Sequence, residues 1–298
     1  MNDEKYLKYK QLIDEHVLEF LPEIDYKSVT LYESIKYSLT AGGKRIRPIL
    51  LLAACDFVGG DVNLAIPYAC ALEFIHTYAL IHDDLPAMDD DDMRRGQPSN
   101  HIKFGEAVAI LAGDGLLTSA FEIMNKEMFI YFDDLPKLKA RIKAINEIAK
   151  GAGVRGMVAG QIADIEAENK QCSKEMLDYI HINKTGTLIT AAVRAGAYIG
   201  GAKPEDINAL TIYAENLGLA FQVADDILDI NGNEELMGKK AGNDSKKNKA
   251  TFPCMCGLES CENYLNELTL NAKNALAHYG NDAKFFNDLA DMLQNRVV

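Results

Sequence analysis

Apolar positions recur along most of this chain at the three- and four-residue spacing of a helix, and few stretches alternate as a half-buried strand would. Four windows carry the pattern furthest, at 66–85, 106–129, 140–168 and 207–230, each near or beyond twenty residues. Helices of that length predict an all-α bundle, and the many small residues within them leave room for close helix approach around a central cavity. Between the windows, Gly59-Gly60, Gly200-Gly201 and residues 238–248 read as loops. Thr30 and Glu33 have the spacing of a capping box, while Pro67 and Pro204 sit where a first helical turn accepts proline. No fixed-period repeat and no linker divides the chain, so a single domain over 1–298 is expected.

Composition changes this picture little. A chain of 298 residues with 48% hydrophobic content is an ordinary globular protein. No run of eighteen uncharged apolar residues appears, and Met1 to Lys5 are too polar for a secretory signal, which predicts a cytoplasmic protein without a membrane span. The six cysteines contain no CxxC pair, and Cys254, Cys256 and Cys261 lack a fourth ligand at zinc-finger spacing, so free thiols are expected. A net charge of −13 disfavours nucleic acid as a partner. A small anion is compatible with it, given local Lys and Arg groups or a bridging divalent cation.

One glycine pattern is a decoy. Gly151, Gly153 and Gly156 fit GxGxxG, but the charged, helix-patterned residues before them are no buried strand, so a dinucleotide site is not expected.

Two acidic clusters carry the chemistry. Asp83 and Asp84 end an apolar helix, and with Asp89 to Asp92 they place six carboxylates within ten residues. Such crowding is repulsive unless cations neutralise it. Asp225 and Asp229, four residues apart after a second apolar stretch, project from one helix face. A solvated charge run is the ordinary fate of acids. Two acid groups that each end an apolar helix are better explained by divalent metal, and hard oxygen donors without His or Cys favour magnesium.

Cations lie near the acids in sequence. Lys44, Arg45 and Arg47 follow Gly42-Gly43, and Arg94-Arg95 follow the first acidic run. Arginine forks suit phosphate oxygens, although each of these arginines could instead pair with a neighbouring acid. Lys184-Thr185-Gly186, Lys239 and Lys249 add further donors, and His76 lies two helical turns before Asp83, about 10 Å down the axis.

Taken together, these motifs resemble those of the trans-polyprenyl diphosphate synthases, the farnesyl and geranylgeranyl diphosphate synthase family, from about Tyr26 onward. The resemblance rests on Gly42 to Pro48, the first aspartate-rich motif ending in Arg94-Arg95-Gly96, Gly160-Gln161 with Asp164, Lys184-Thr185-Gly186, Phe221-Gln222 leading into Asp225 to Asp229, and Lys239 and Lys249. It implies an all-α isoprenoid-synthase bundle around a deep cavity, working as a homodimer. It further implies that Asp83, Asp84, Asp89, Asp225 and Asp229 hold three Mg²⁺ ions. By the same likeness, Lys184, Thr185, Gln222, Lys239, Lys249 and Arg94 would contact the allylic diphosphate, and Gly43, Lys44, Arg47, His76 and Arg95 isopentenyl diphosphate.

In such enzymes the residues just before the first aspartate act as a floor for the growing chain. Here these are Tyr78 and Ala79, with Tyr78 about 7.5 Å along the helix from Asp83. An aromatic floor and the extra residues Pro86-Ala87 resemble bacterial farnesyl diphosphate synthases more than the twenty-carbon enzymes. The implied substrates are isopentenyl, dimethylallyl and geranyl diphosphates. A class I terpene cyclase is less compatible, because its second metal motif is usually an Asn/Asp, Ser/Thr, Glu triad. A non-catalytic subunit of a heteromeric synthase fits less well too, because both aspartate motifs are intact.

Overall fold

The computed structural model describes residues 4–23, 26–168, 170, 172–231 and 251–295. It is built almost wholly from helices, in the order α1 (Glu4–His16), α2 (Val29–Thr40), α3 (Ile46–Phe57), α4 (Ile66–Asp83), α5 (Asn100–Phe104), α6 (Glu106–Phe129) and α7 (Leu135–Ala152). There follow α8 (Met157–Ala167), α9 (Lys174–His181), α10 (Thr187–Gly200), α11 (Pro204–Asn231), α12 (Phe252–Cys256), α13 (Leu258–Ala275) and α14 (Lys284–Gln294).

Helices α3 and α4 are apolar on nearly every face, and such helices belong inside a core. In α3, Ile46 and every residue from Pro48 to Cys55 are buried. Leu50, Leu51 and Leu52 alone contribute about 1.5–3 kcal/mol each in side-chain burial. Helix α4 packs on α6, α10 packs on α3 and α7, and α11 packs on α13. A smaller apolar cluster under α11 joins Val223 and Ile227 to Leu177, Phe252 and Leu265. By length and hydropathy alone α4 and α6 could each cross a membrane, but α4 is largely enclosed by its neighbours.

Three details depart from the sequence pattern. The window 140–168 is two helices, α7 and α8, because Gly153 closes α7 and Gly156, at φ −145° and ψ −121°, opens α8. The GxGxxG glycines therefore form a helix break, and the element that leads into them is α7 and not a strand. Thr30 and Glu33 form no capping box: a 3₁₀ turn, Tyr26–Ser28, feeds straight into α2, and Ser28 holds the N-cap position without a side-chain bond. Third, Met93-Arg94 and Gln97-Pro98 pair as a short antiparallel ribbon that turns the chain back after the first acidic cluster. Pro67 and Pro204 do open α4 and α11, and Gly201 ends α10 at φ +85°. All six cysteines are free thiols.

Candidate active site

The site is assembled where the C-terminal end of α4 meets the loop before α3, helix α8, the turn after α9 and the last third of α11. Asp83 is the last residue of α4. The chain then curls over that helix end, with the Asp89 N–H donating to the Asp83 carbonyl at 2.8 Å and the Asp91 N–H to the Asp84 carbonyl at 3.3 Å. This curl keeps Asp89 to Asp91 beside Asp83 and Asp84. Asp84 is buried and accepts from the Arg94 guanidinium, which also reaches Asp91 at 3.3 Å. Arg94, expected to reach a diphosphate, is thus occupied by acids here. Burial raises the Asp84 carboxyl to about 6, with Asp91 and Asp83 adding to the rise and Arg94 opposing it.

A second group lies around the start of α3. Arg45 is not available to a ligand, since it is 4% exposed and bonded to Glu73 of α4, to Asp14 of α1 at 3.0 Å and to the Leu39 carbonyl. It pins the loop in place. Arg47, two residues on, points its Nη1 toward His76 Nε2 at 3.4 Å, and its buried Nε has no hydrogen-bond partner. Burial pushes the Arg47 guanidinium down to about 10, only partly offset by Glu73 and Asp225. His76 is held well below its usual range by burial and by Arg47 and Arg95, so its ring is neutral. Arg95 donates to the Gly42 carbonyl and lies against Gly43, where a Cβ would fall 2.6 Å from its Cζ. Only glycine fits there, and its φ of +119° demands the same. Lys44 is exposed, and its carbonyl accepts the Tyr6 hydroxyl.

The third group spans α8, α9 and α11. A π-turn, Ile182–Gly186, joins α9 to α10 and bulges Lys184 and Thr185 toward their neighbours, a local form common at functional sites. Lys184 Nζ pairs with Asp164 of α8 at 2.6 Å. Thr185 Oγ1 donates to Gln222 Oε1 of α11 at 2.8 Å. Gln161, one turn before Asp164, donates to Asp83. Helix α8 therefore ties the first acidic cluster to the Lys184 turn. The only sign of this bridging role in the sequence is a pair of polar residues, Gln161 and Asp164, three apart after Gly160. In the second cluster Asp226 is structural, buried and accepting the Phe252 N–H at 3.0 Å. Asp225 is only partly buried and near enough to Arg47 to influence its charge. Lys239 and Lys249 lie outside the described residues.

Among the described residues no three acids close on one point as a preformed metal cage. The donor set still fits magnesium, which binds through one or two carboxylates completed by water and phosphate oxygens. A buried carboxyl at about 6 also means that a cation must displace a proton below that pH. Titration with Mg²⁺ alone is expected to release more protons at pH 5.5 than at pH 8, measured calorimetrically in buffers of different ionisation enthalpy. Equal proton release at both values would contradict it.

The model of the polyprenyl synthetase family matches residues 28–287. The chain belongs to that family. It is 48% identical to a farnesyl diphosphate synthase of Geobacillus stearothermophilus over 256 residues, 86% of this chain and 84% of the relative. It is also 48% identical to a geranylgeranyl diphosphate synthase of Cyanophora paradoxa over 267 residues, 89% of this chain and 87% of the relative. A solved FPP/GFPP synthase from Zymomonas mobilis superposes with a TM-score of 0.84 at 34% identity, covering 97% of each chain. The fold is therefore the all-α fold of the isoprenyl synthases, and the polyprenyl synthetase is a prenyltransferase that elongates prenyl chains.

Proposed function

We propose that this polyprenyl synthetase makes farnesyl diphosphate, condensing isopentenyl diphosphate head to tail with dimethylallyl and then geranyl diphosphate. The observation that carries the fifteen-carbon reading is Tyr78, an aromatic on the buried face of α4 five residues before Asp83 and only 8% exposed. A phenol there shortens the space open to a growing chain more than a small side chain could.

The residues divide the work by charge. Arg47, with its unpaired Nε, and Arg95 offer cationic donors to the isopentenyl diphosphate, with Gly43, Lys44 and the neutral His76 beside them. Lys184, Thr185, Gln222 and Arg94 would contact the allylic diphosphate on leaving their present partners, and Lys239 and Lys249, outside the described residues, are proposed to join them. Asp83, Asp84, Asp89, Asp225 and Asp229 would hold three magnesium ions, whose charge stabilises the departing diphosphate. Loss of that group leaves an allylic cation in surroundings that hold little water. The isopentenyl double bond adds to it, and the proton lost from the adduct passes to the diphosphate. No protein nucleophile is required.

The test is a product assay with isopentenyl and dimethylallyl diphosphates and Mg²⁺, read by chain length. Wild type is expected to stop at fifteen carbons, and Tyr78→Ala to yield mainly twenty. Wild-type products of twenty carbons would favour the geranylgeranyl reading, which the likeness to the Cyanophora enzyme keeps in view.

We further propose a homodimer, within a single 1–298 domain. Its support is an apolar exposed face: Ile110, Leu111, Phe129, Ile130, Phe132 and Ile142 are each 44% exposed or more. Leu111→Glu with Phe129→Glu is expected to halve the mass seen by light scattering, and an unchanged mass would place the interface elsewhere. The six free thiols support a reducing, cytoplasmic setting.

A further inference from the structure

Of the two residues proposed as the chain-length floor, Tyr78 and Ala79, only Tyr78 carries a ring, and that ring has an aromatic partner. Tyr78 and His82 lie one turn apart on α4, with ring centroids 5.7 Å apart and planes at 79°, an edge-to-face pair. The His82 ring is fixed in turn by α6. Its Nε2 lies 3.0 Å from the Ile110 carbonyl and 4.0 Å from Asp114 Oδ1. Beneath it is Gly113, where an added Cβ would fall 2.1 Å from Nε2 and 2.5 Å from Cδ2. Gly113 is a helical residue of ordinary backbone, so its lack of a side chain serves the close approach and not a turn. Without that gap the Nε2 edge of the imidazole could not reach α6 while the ring meets Tyr78.

We infer that His82, seated on Gly113, is a positioning residue for product length: it holds Tyr78 in the orientation that stops a growing chain. This rests on Tyr78 being the floor. His82 needs no contact with either diphosphate to act in this way. A purely structural role for His82 would alter stability and rate and leave the products of each remaining turnover unchanged.

The experiment compares the ratio of longer to shorter product, per turnover, for wild type, Tyr78→Ala, His82→Ala, Gly113→Ala and the double variant Tyr78→Ala with His82→Ala. Loss of one aromatic contact is expected to shift the ratio toward the longer product by about three- to tenfold in His82→Ala. Gly113→Ala is expected to shift it in the same direction, because a methyl group there evicts the imidazole. The double variant should match Tyr78→Ala, since His82 acts only through the phenol. His82→Asn keeps a polar group near the Ile110 carbonyl without a ring, and carries the test if the alanine variant does not fold. If Tyr78→Ala lengthens the product while His82→Ala, His82→Asn and Gly113→Ala all keep the wild-type ratio, the inference fails and the floor stands. If Tyr78→Ala leaves the ratio unchanged, the floor fails and the inference falls with it.

Discussion

Arg47→Met is expected to make the protein more stable and nearly inactive at once. The guanidinium lies largely out of solvent beside a neutral imidazole, and its Nε donates to nothing. Its fall to about 10 means that folding disfavours the charged form. The sign follows directly: the penalty is present at every pH below about 10 and fades as pH rises through it. That fall corresponds to about 3 kcal/mol, an upper bound because solvent still reaches part of the side chain. Methionine fills similar volume without charge, so a rise in Tm of a few degrees is expected. Each charge-assisted bond lost to a diphosphate costs about 1.5–3 kcal/mol, so kcat/KM for isopentenyl diphosphate should drop at least a hundredfold, to about a thousandfold. A lower Tm would show that Arg47 is compensated in the folded chain. Retained activity would move the anion site elsewhere.

Asp225→Ala is expected to lower turnover by about 10²–10³-fold with the fold intact, the scale of losing one group that stabilises charge in the transition state. Its neighbour should behave in the opposite way. Asp226 is buried and holds the Phe252 N–H, so Asp226→Ala leaves a buried donor unpaired and costs about 1–3 kcal/mol of stability. Circular dichroism melts beside steady-state rates separate the two. A normal rate in Asp225→Ala would remove this carboxylate from any metal role.

Residues close in sequence can differ sharply in what their folded surroundings make of them. The long helices were legible because their apolar period is unbroken: 106–129 coincides with α6, and 207–230 lies within α11. The acid clusters were legible because charge at the end of an apolar helix has few bland explanations. By residue type and spacing alone Arg45 and Arg47 are alike, and only the family resemblance sets Arg47 apart. What separates them is Glu73 and Asp14, 28 and 31 residues away, which reach Arg45 and leave Arg47 Nε unpaired. The break between α7 and α8 was hidden because Gly153 and Gly156 interrupt an otherwise continuous helical period. The π-turn at 182–186 carries no sequence sign of its own, and Gly160 is what lets α8 approach it: a Cβ there would fall 2.0 Å from the Lys184 nitrogen. The role of Gln161 depends on that same contact.

The grip of Asp84 and Asp91 on Arg94 has a consequence for how the acidic loop meets its ligands. The loop already carries an internal counterion, so a metal ion held by Asp84 would have to compete with a guanidinium for the same oxygens. Arg94, released from that pair, would be a cation without a partner beside the acidic loop and open to an anion.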